Sequence, residues 1–383
     1  ILLLSSTFFR NNLFTLCHLI YTDTFYMKRK WIRWVSWILL TPIILFVILM
    51  VLLYVPPVQN LLRREVTAYA SKATGMQIQV ERIDLRFPLN LLVRGVEVIQ
   101  QPDTLLSLES LNVRVQAWPL IKGKVEVDEV TLSRVAVNSA DLMEGMKIKG
   151  VLGRFFLQSH GVDLSNELAV INQVELSDTH MQLLMNDTTT TPKDTTASAP
   201  INWKVALHQL KLKNVSFSMQ LPADSMRMTA HIGEAAINDA QADLKNQYYD
   251  LKKFLLLGTS ASYDTGTAQP TEGFDASHIA VRDIRIALDS LLYKGRDMNA
   301  VIREFTMNER SGLSVTALTG RAYSNDSVIC VPSLKLNTPH SEIDLSAHTY
   351  WELVNIPTTG RLSARLNAYI GKEDVMLFAG GLP

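Results

Sequence analysis

A strongly apolar segment without any charged residue runs from Trp34 to Val55, and it constrains where the rest of the molecule lies. As an α-helix its 22 residues would span about 33 Å, close to the roughly 30 Å hydrocarbon core of a bilayer. Basic residues at positions 28, 29, 30 and 33 precede it, so the positive-inside rule places the N-terminus in the cytoplasm. We therefore predict a transmembrane signal anchor over residues 27–55, defined by Trp34, Trp37, Phe46, Tyr54 and Val55.

A cleavable signal peptide is the alternative for this segment. Its apolar stretch exceeds the usual 7 to 15 residues of such a peptide, which favours an uncleaved anchor. Because no second apolar run of this length follows, the rest of the chain is expected outside the cytoplasm. Met27 is followed at once by Lys28, Arg29 and Lys30, so we expect residues 1–26 to be a disordered upstream or mis-started segment.

Two prolines, Pro56 and Pro57, follow the apolar run and are expected to end it. Apolar residues then recur at helical spacing up to Gly75, a residue type that commonly ends helices. We predict a short juxtamembrane amphipathic helix over residues 56–75. It would lie either on the bilayer surface or against a sheet.

Beyond Gly75 the apolar residues alternate with polar ones, which indicates strands with one apolar face. A recurring phrase is one apolar residue, two polar residues, then apolar, polar and apolar, as in 207–212. We predict a mainly β domain over residues 76–383, with polar loops at 186–200 and 260–275 and a weakly indicated helix at 243–257. The alternation leaves a sandwich, a barrel and a long groove open.

Composition and motifs indicate no catalytic chemistry. Lys+Arg and Asp+Glu number 37 each, so the chain has no basic field for nucleic acid. Its two cysteines cannot form a disulfide framework, and its eight histidines are scattered without an HExxH motif. Gly145, Gly150 and Gly153 form a cluster without a phosphate-loop motif and are interpreted as loop glycines. We predict a protein that is not an enzyme and has no metal or cofactor site.

Residues 27–132 resemble the N-terminal part of the TamB family, within the AsmA-like superfamily. The residues that carry the resemblance follow one another in the family's order. They are the anchor ending in 55–60 (VPPVQN), then 78–88 (IQVERIDLRFP), 92–96 (LVRGV), 103–108 (DTLLSL) and 118–125 (WPLIKGKV). The chain has nothing that corresponds to the family's C-terminal domain, so we expect it to be an N-terminal fragment.

The resemblance implies a single-pass inner-membrane protein whose bulk lies in the periplasm and serves outer-membrane biogenesis. It implies an elongated, antiparallel-type β-sheet curled into an apolar groove that holds phospholipid acyl chains, whereas the residues alone leave a closed core equally open. Phospholipid transport between the membranes is the leading expectation. The alternative is a scaffold that assists assembly of outer-membrane proteins with an Omp85-type partner. An anchored enzyme would need a polar cleft around His208 or His231.

Alternation also suggests which side chains would line the groove, although its phase shifts at Asp128 and Glu129. The candidate groove-lining residues are Ile78, Val80, Val113, Val115, Val125 and Val127.

Overall fold

The computed structural model describes residues 54–87, 89–100, 103–121, 126–143, 145–163, 166–185, 202–355 and 360–379, together with residues 40, 41, 44, 45, 47, 48, 51 and 52. Contacts divide the chain into two units, Ile1–Leu62 and Arg63–Pro383. The second unit contains the whole of the sheet described below.

In the first unit, the eight described positions between 40 and 52 have helical backbone, and their side chains are exposed. Trp34, Trp37 and Phe46 of the predicted anchor lie outside the described residues, whereas Tyr54 and Val55 are half-buried and immediately precede a helix. This helix, α1, spans Pro56–Thr74, where the sequence predicts a helix. Among the residues that the structure describes, no helix combines the length and the apolar character required to cross a bilayer.

The predicted mainly β architecture is confirmed, since sixteen strands form one sheet. The strands are β1 Gln77–Arg86, β2 Asn90–Gln100, β3 Asp103–Val115, β4 Val127–Met143, β5 Met146–Asp163, β6 Leu168–Met185, β7 Lys204–Leu221, β8 Met226–Asp243, β9 Tyr248–Asp264, β10 His278–Lys294, β11 Asp297–Glu309, β12 Ser314–Val315, β13 Ala317–Ser324, β14 Val328–Asn337, β15 Glu342–Tyr350 and β16 Leu362–Tyr369. The remaining helices are α2 Ala117–Ile121, α3 Trp351–Asn355 and α4 Lys372–Ala379.

The strands lie in chain order from β1 to β16, with the short β12 attached to β11 outside this path. Every pairing is antiparallel except that of β6 with β7, which is parallel in the described register. The expected antiparallel-type sheet is therefore confirmed except at this one pair. Antiparallel neighbours need only a hairpin, but a parallel pair needs a crossover, and the connection here is the segment between 185 and 204.

Three local predictions are wrong. The predicted polar loop at 260–275 begins too early, because 260–264 belong to β9 and pair with β8 and β10. The helix at 243–257 is absent, since a turn after Asp243 leads directly into β9. Gly150 and Gly153 lie inside β5, not in a loop. In each case cross-strand pairing overrode a local sequence signal that was weak by itself.

The sheet forms a single layer. Every extensive contact between strands in the described residues joins neighbours in the sheet order. No large side chain among them is fully buried, and the few buried apolar residues are Ile83, Leu105, Leu108, Ala169, Ala235, Ala287 and Val315. A sandwich or a filled barrel would bury one face of every strand. The described part of the chain contains neither.

A line of backbone irregularities crosses the first nine strands at one level. At this level one residue per strand drops out of the pairing, although the pairs on both sides are regular from β1 to β8. We call these residues the kink line: Glu81, Gly95, Glu109, Arg134, Gly153, Asp178, Asn214, Gly233 and Gly258. Five of the nine have positive φ, and Asp283 of β10 continues the feature with a φ of 55°.

Polar contacts and glycines hold the kink line together. Asn214 Nδ2 donates to Asp178 Oδ1 at 2.8 Å. The Arg134 guanidinium donates to the Glu109 carboxylate, which holds the pKa of Glu109 below its ordinary value. A Cβ on Gly153 would lie 2.7 Å from the Cβ of Asp178, so this strand can approach β6 only with glycine here.

The two edges of the sheet differ in what covers them. At β1, Ser71 Oγ of α1 accepts from the Ile78 N–H at 3.1 Å, and Arg63 Nη1 donates to the Glu81 carbonyl at 2.8 Å. At β16 every residue is exposed. The helix α4, which follows β16, contacts the loop between β9 and β10, where the Phe274 N–H donates to the Leu377 carbonyl at 2.8 Å.

A buried carboxylate fixes the start of α4. Asp374 accepts hydrogen bonds from the hydroxyls of Ser341 and Thr338, and these bonds hold the pKa of Asp374 below its ordinary value. In the loop between β9 and β10, the backbone N–H groups of Thr271 and Ser277 likewise lower the pKa of Asp275. Carboxylates therefore organise this end of the sheet in their charged form.

Candidate functional site

One lateral row of apolar side chains crosses the sheet from edge to edge. Residues that pair across strands share a face of the sheet, so the pairing identifies the row without reference to the pattern in any one strand. We call it the long row; its members in strand order are Leu85, Leu91, Val113, Val130, Leu157, Val174, Leu210, Ile237, Phe254, Leu288, Ile302, Gly320, Leu334, Leu345 and Leu366. Gly320 is its single member without a side chain.

A second apolar row runs beside the long row. We call it the short row, and it consists of Ile83, Val93, Leu111, Leu132, Phe155, Leu176, Leu212, Ala235, Leu256, Ile286 and Phe305. In the first ten strands its members lie two residues from those of the long row, which places both rows on one face. Together they form an apolar stripe, which we name the double row.

The dimensions of the double row follow from sheet geometry. Strands lie about 4.8 Å apart, so fourteen steps from β1 to β16 extend the long row over about 65 Å along the sheet. The two rows are about 7 Å apart along each strand. The stripe is therefore many times longer than it is wide, and it runs perpendicular to the strands.

Most side chains of the double row remain partly accessible. Ile83 and Ala235 are buried, at 6% and 4% exposure, while most other members are intermediate and Leu366 is 63% exposed. Neighbours within the sheet cause this partial burial, since no second layer packs on the described strands. The stripe therefore presents a continuous apolar surface instead of the inside of a closed core.

The row directly behind the double row has a mixed composition. It consists of Asp84, Leu92, Asn112, Thr131, Phe156, Glu175, Lys211, Ala236, Leu255, Ala287 and Glu304. Glu175 and Lys211 are cross-strand partners in this row, with their charged atoms 3.9 Å apart. The two faces of the sheet therefore differ: one carries an apolar stripe without polar side chains, and the row behind it mixes charged, polar and apolar side chains.

The predicted groove-lining residues fall into three groups. Val113 belongs to the long row, and Val115 pairs with Val127 at the next level along the strands. Ile78 and Val80 lie beyond the kink line, where they pair with valines of β2. Val125 lies outside the described residues. The predicted phase shift at Asp128 and Glu129 coincides with an irregularity in the pairing of β3 with β4.

The histidines considered for an enzyme occupy open positions on the sheet. His208 Nδ1 lies 3.1 Å from Asp239 Oδ1, with both side chains more than 60% exposed. His231 Nδ1 lies 2.9 Å from Ser216 Oγ. Within the described residues, no group of three or more His, Cys, Asp or Glu side chains is arranged to hold a metal ion. These pairs are solvated cross-strand contacts.

Known proteins add no further identification: neither protein-family models nor curated proteins match the chain.

Analysis of single strands did not identify the double row as a unit. Alternation within one strand indicates an apolar face, but the alignment of fifteen strands depends on pairing between residues far apart in the chain. One sequence signal did point to its edges. The adjacent polar pairs Ser177-Asp178 and Lys213-Asn214 directly follow Leu176 and Leu212 of the short row and lie where the kink line crosses.

Proposed function

We propose that the double row binds phospholipid acyl chains and that the protein carries phospholipid between two membranes. The observation that supports this proposal is that the long row contains no polar side chain across fifteen strands, with no layer covering it in the described residues. A surface of this kind is unfavourable in water unless an apolar partner occupies it. An acyl chain is such a partner, and it needs no specific polar contact.

The energetics favour an extended surface over a closed pocket for such a ligand. Burial of each CH₂ group contributes about 0.8 kcal/mol, so even a partly covered acyl chain gains several kcal/mol. Because neighbouring members of the long row are chemically alike, a chain would lose and regain similar contacts as it moves by one strand. Movement along the row would therefore meet small steps in free energy.

We further propose that residues 27–55 anchor the protein in the inner membrane and that the sheet lies in the periplasm. The uncharged sequence from Trp34 to Val55 supports the anchor. Seven apolar side chains at the described positions between 40 and 52 are exposed by 42% or more. This placement would bring one end of the protein to a source of phospholipid.

Photo-crosslinking in cells tests the proposal. A photoreactive amino acid is placed at Val130 and Leu132, which belong to the double row, and at Thr131, which lies between them on the opposite face. The second set is Val174 and Leu176 with Glu175 as its control. We expect phospholipid adducts, identified by mass spectrometry, at the four apolar positions and not at the two controls.

Equal adducts on both faces, or none at either, would contradict lipid binding by the double row. Adducts to protein at the apolar positions would instead favour the scaffold that assists assembly of outer-membrane proteins. Because apolar and control positions are adjacent in sequence, they sample nearly the same location along the protein and differ in the face of the sheet that they occupy.

A further inference from the structure

An open concavity of about 580 Å³ lies on strands β9, β10, β11 and β13. Its volume falls within the range of about 300–1,000 Å³ that is usual for small-molecule sites. Most of its lining is polar, and the charged residues among the lining are Asp250, Lys252, Lys294, Asp297 and Arg321. We call it the polar concavity.

The polar concavity is on the face of the sheet that carries the double row. Phe254 and Leu288 of the long row pair across β9 and β10, and the register between these strands stays unbroken as far as Leu251. Lys252 therefore lies two residues from Phe254, about 7 Å along the strand and on the same face. Ser290 has the same relation to Leu288. Polar groups of the concavity thus border the long row directly.

The charged side chains of the polar concavity are not all paired with one another. Three cations face two carboxylates, which leaves one surplus positive charge in a chain whose Lys+Arg and Asp+Glu are equal in number. Lys252 Nζ lies 2.7 Å from Asp250 Oδ2, so these two charges compensate each other. Within the described ranges, Lys294 and Asp297 have no ion pair or side-chain hydrogen bond. The ammonium group of Lys294 is therefore available to a ligand.

Internal contacts position the guanidinium group of Arg321 while leaving its terminal nitrogens available. Arg321 Nε donates to Asn299 Oδ1 at 3.1 Å, and Asn299 Nδ2 donates to Ser290 Oγ at 3.1 Å. Arg321 Cζ also lies 5.3 Å from the centroid of the Tyr323 ring. Among the described residues, none bonds to Arg321 Nη1 or Nη2. A guanidinium group held in this way presents two parallel donors, which is the geometry with which arginine binds phosphate.

We propose that the polar concavity binds the phosphate of a phospholipid whose acyl chain lies on the long row at Phe254 and Leu288. This inference rests on the lipid binding proposed above and adds a fixed position for the headgroup. The phosphate oxygens accept hydrogen bonds from Arg321 and Lys294, which are donors only. Asp297 provides an acceptor for a hydroxyl or ammonium group that the headgroup carries beyond its phosphate.

Labelling of the purified full chain with two photoreactive lipids tests this assignment. Phosphatidylglycerol and diacylglycerol carry the same diazirine-bearing acyl chain, and the detergent is uncharged and free of phosphate. We expect the double variant Lys294→Gln and Arg321→Gln to lower labelling by the phospholipid about three-fold or more and to leave labelling by diacylglycerol unchanged. Lys294→Gln alone should cause a smaller loss. Because Lys294 makes no hydrogen bond or ion pair within the described ranges, that loss does not come from a weakened fold.

Lys253→Gln is the matched control for the charge that these variants remove. Lys253 lies between Lys252 and Phe254, so its side chain points to the opposite face of the sheet. Labelling by both lipids should be unchanged in this variant. A loss of phospholipid labelling as large as in the double variant would show a general effect of charge and would overturn the proposal.

The remaining outcomes separate this inference from the function on which it rests. Full phospholipid labelling of the double variant would overturn the headgroup site and leave lipid binding by the double row standing. No labelling by either lipid would overturn both. Inorganic phosphate is a second source of the same chemistry, and at matched ionic strength we expect it to leave labelling unchanged because it has no acyl chain. Displacement of the phospholipid by inorganic phosphate would identify a site for free phosphate and overturn the assignment to a headgroup.

Discussion

The two edges of the sheet differ in whether another element of the protein bonds to their outward-facing backbone groups. At β1, side chains of α1 bond to outward backbone groups, with Ser71 bonded to Ile78 and Arg63 to Glu81. At β16 no described element performs this role, and all eight residues are exposed. One edge is therefore closed by the protein itself, and the other remains available for pairing. The sheet has a direction in which it can be extended.

The position of α1 against the edge strand β1 decides between the two roles that the sequence predicts for this helix. The sequence leaves two roles open for the helix over residues 56–75, resting on a bilayer or capping a sheet. Its hydrogen bonds to β1 place Ser71 and Arg63 in the capping role. The sheet consequently begins at β1, and an additional strand can join at β16.

The largest expected effect separates the interior of the long row from its open end. Val174→Asp places a carboxylate among apolar neighbours on both adjacent strands, and we expect it to lower the free energy of unfolding by about 1–3 kcal/mol. Leu366→Asp should change it by less than about 0.5 kcal/mol, because that side chain is already exposed. Urea unfolding followed by circular dichroism measures both, and equal losses would contradict the distinction.

A smaller effect tests the closed edge. Ser71→Ala removes the acceptor of the Ile78 N–H, and Arg63→Ala removes the donor to the Glu81 carbonyl. Each should lower stability by about 1 kcal/mol, the usual net contribution of a hydrogen bond. Faster hydrogen exchange of the Ile78 amide in Ser71→Ala would locate the loss at β1. Lys72→Ala on the same helix is the control and should leave exchange in β1 unchanged; equal acceleration there would show a general weakening of α1.

The smallest expected effect is the release of α4 from the sheet at low pH. The pKa of Asp374 is lowered by the hydroxyls of Ser341 and Thr338, so its contribution is present above its unfolded pKa of about 3.9 and is lost as pH falls through the lower folded value. We expect acid to release α4 while the Arg63 contact persists, because arginine stays protonated. Limited proteolysis within α4 at decreasing pH measures this release.

Asp374→Asn is the matched variant for the acid experiment. It should loosen α4 at neutral pH and reduce the further loss in acid, with Asp275 still providing some pH dependence through its own lowered pKa. Simultaneous release of α1 and α4 at one pH would mean that the two ends do not differ in this respect.

The sequence predicted the strands and the apolar face, because period-two alternation is a local property. It could not predict the parallel pairing of β6 with β7, since a strand alternates identically in either direction. The mistaken helix at 243–257 rested on apolar residues such as Leu255 and Leu256, which in the sheet pair with residues of β8 and β10. Those pairings were not visible from the local pattern.

The candidate site was predicted only in fragments. Val113 was selected and belongs to the long row, but its partners Leu91 and Val130 were not selected with it. Selecting them requires knowledge of which strands are neighbours and how they are aligned. The polar pairs Ser177-Asp178 and Lys213-Asn214 were visible in the sequence, yet their meaning depended on the positive φ of Asp178 and Asn214.

The kink line has a consequence for how such a sheet assembles. Strands that all alternate in the same way can slip by two residues without exposing an apolar face to the wrong side, so alternation alone does not exclude misaligned hairpins. A slip of two residues would move each left-handed residue away from its counterpart and force an ordinary position to adopt a strained conformation, at about 1–3 kcal/mol per residue. Repeated in strand after strand, this penalty acts as an alignment mark. It therefore disfavours pairings slipped by two residues, which the regular alternation of a long sheet would otherwise permit.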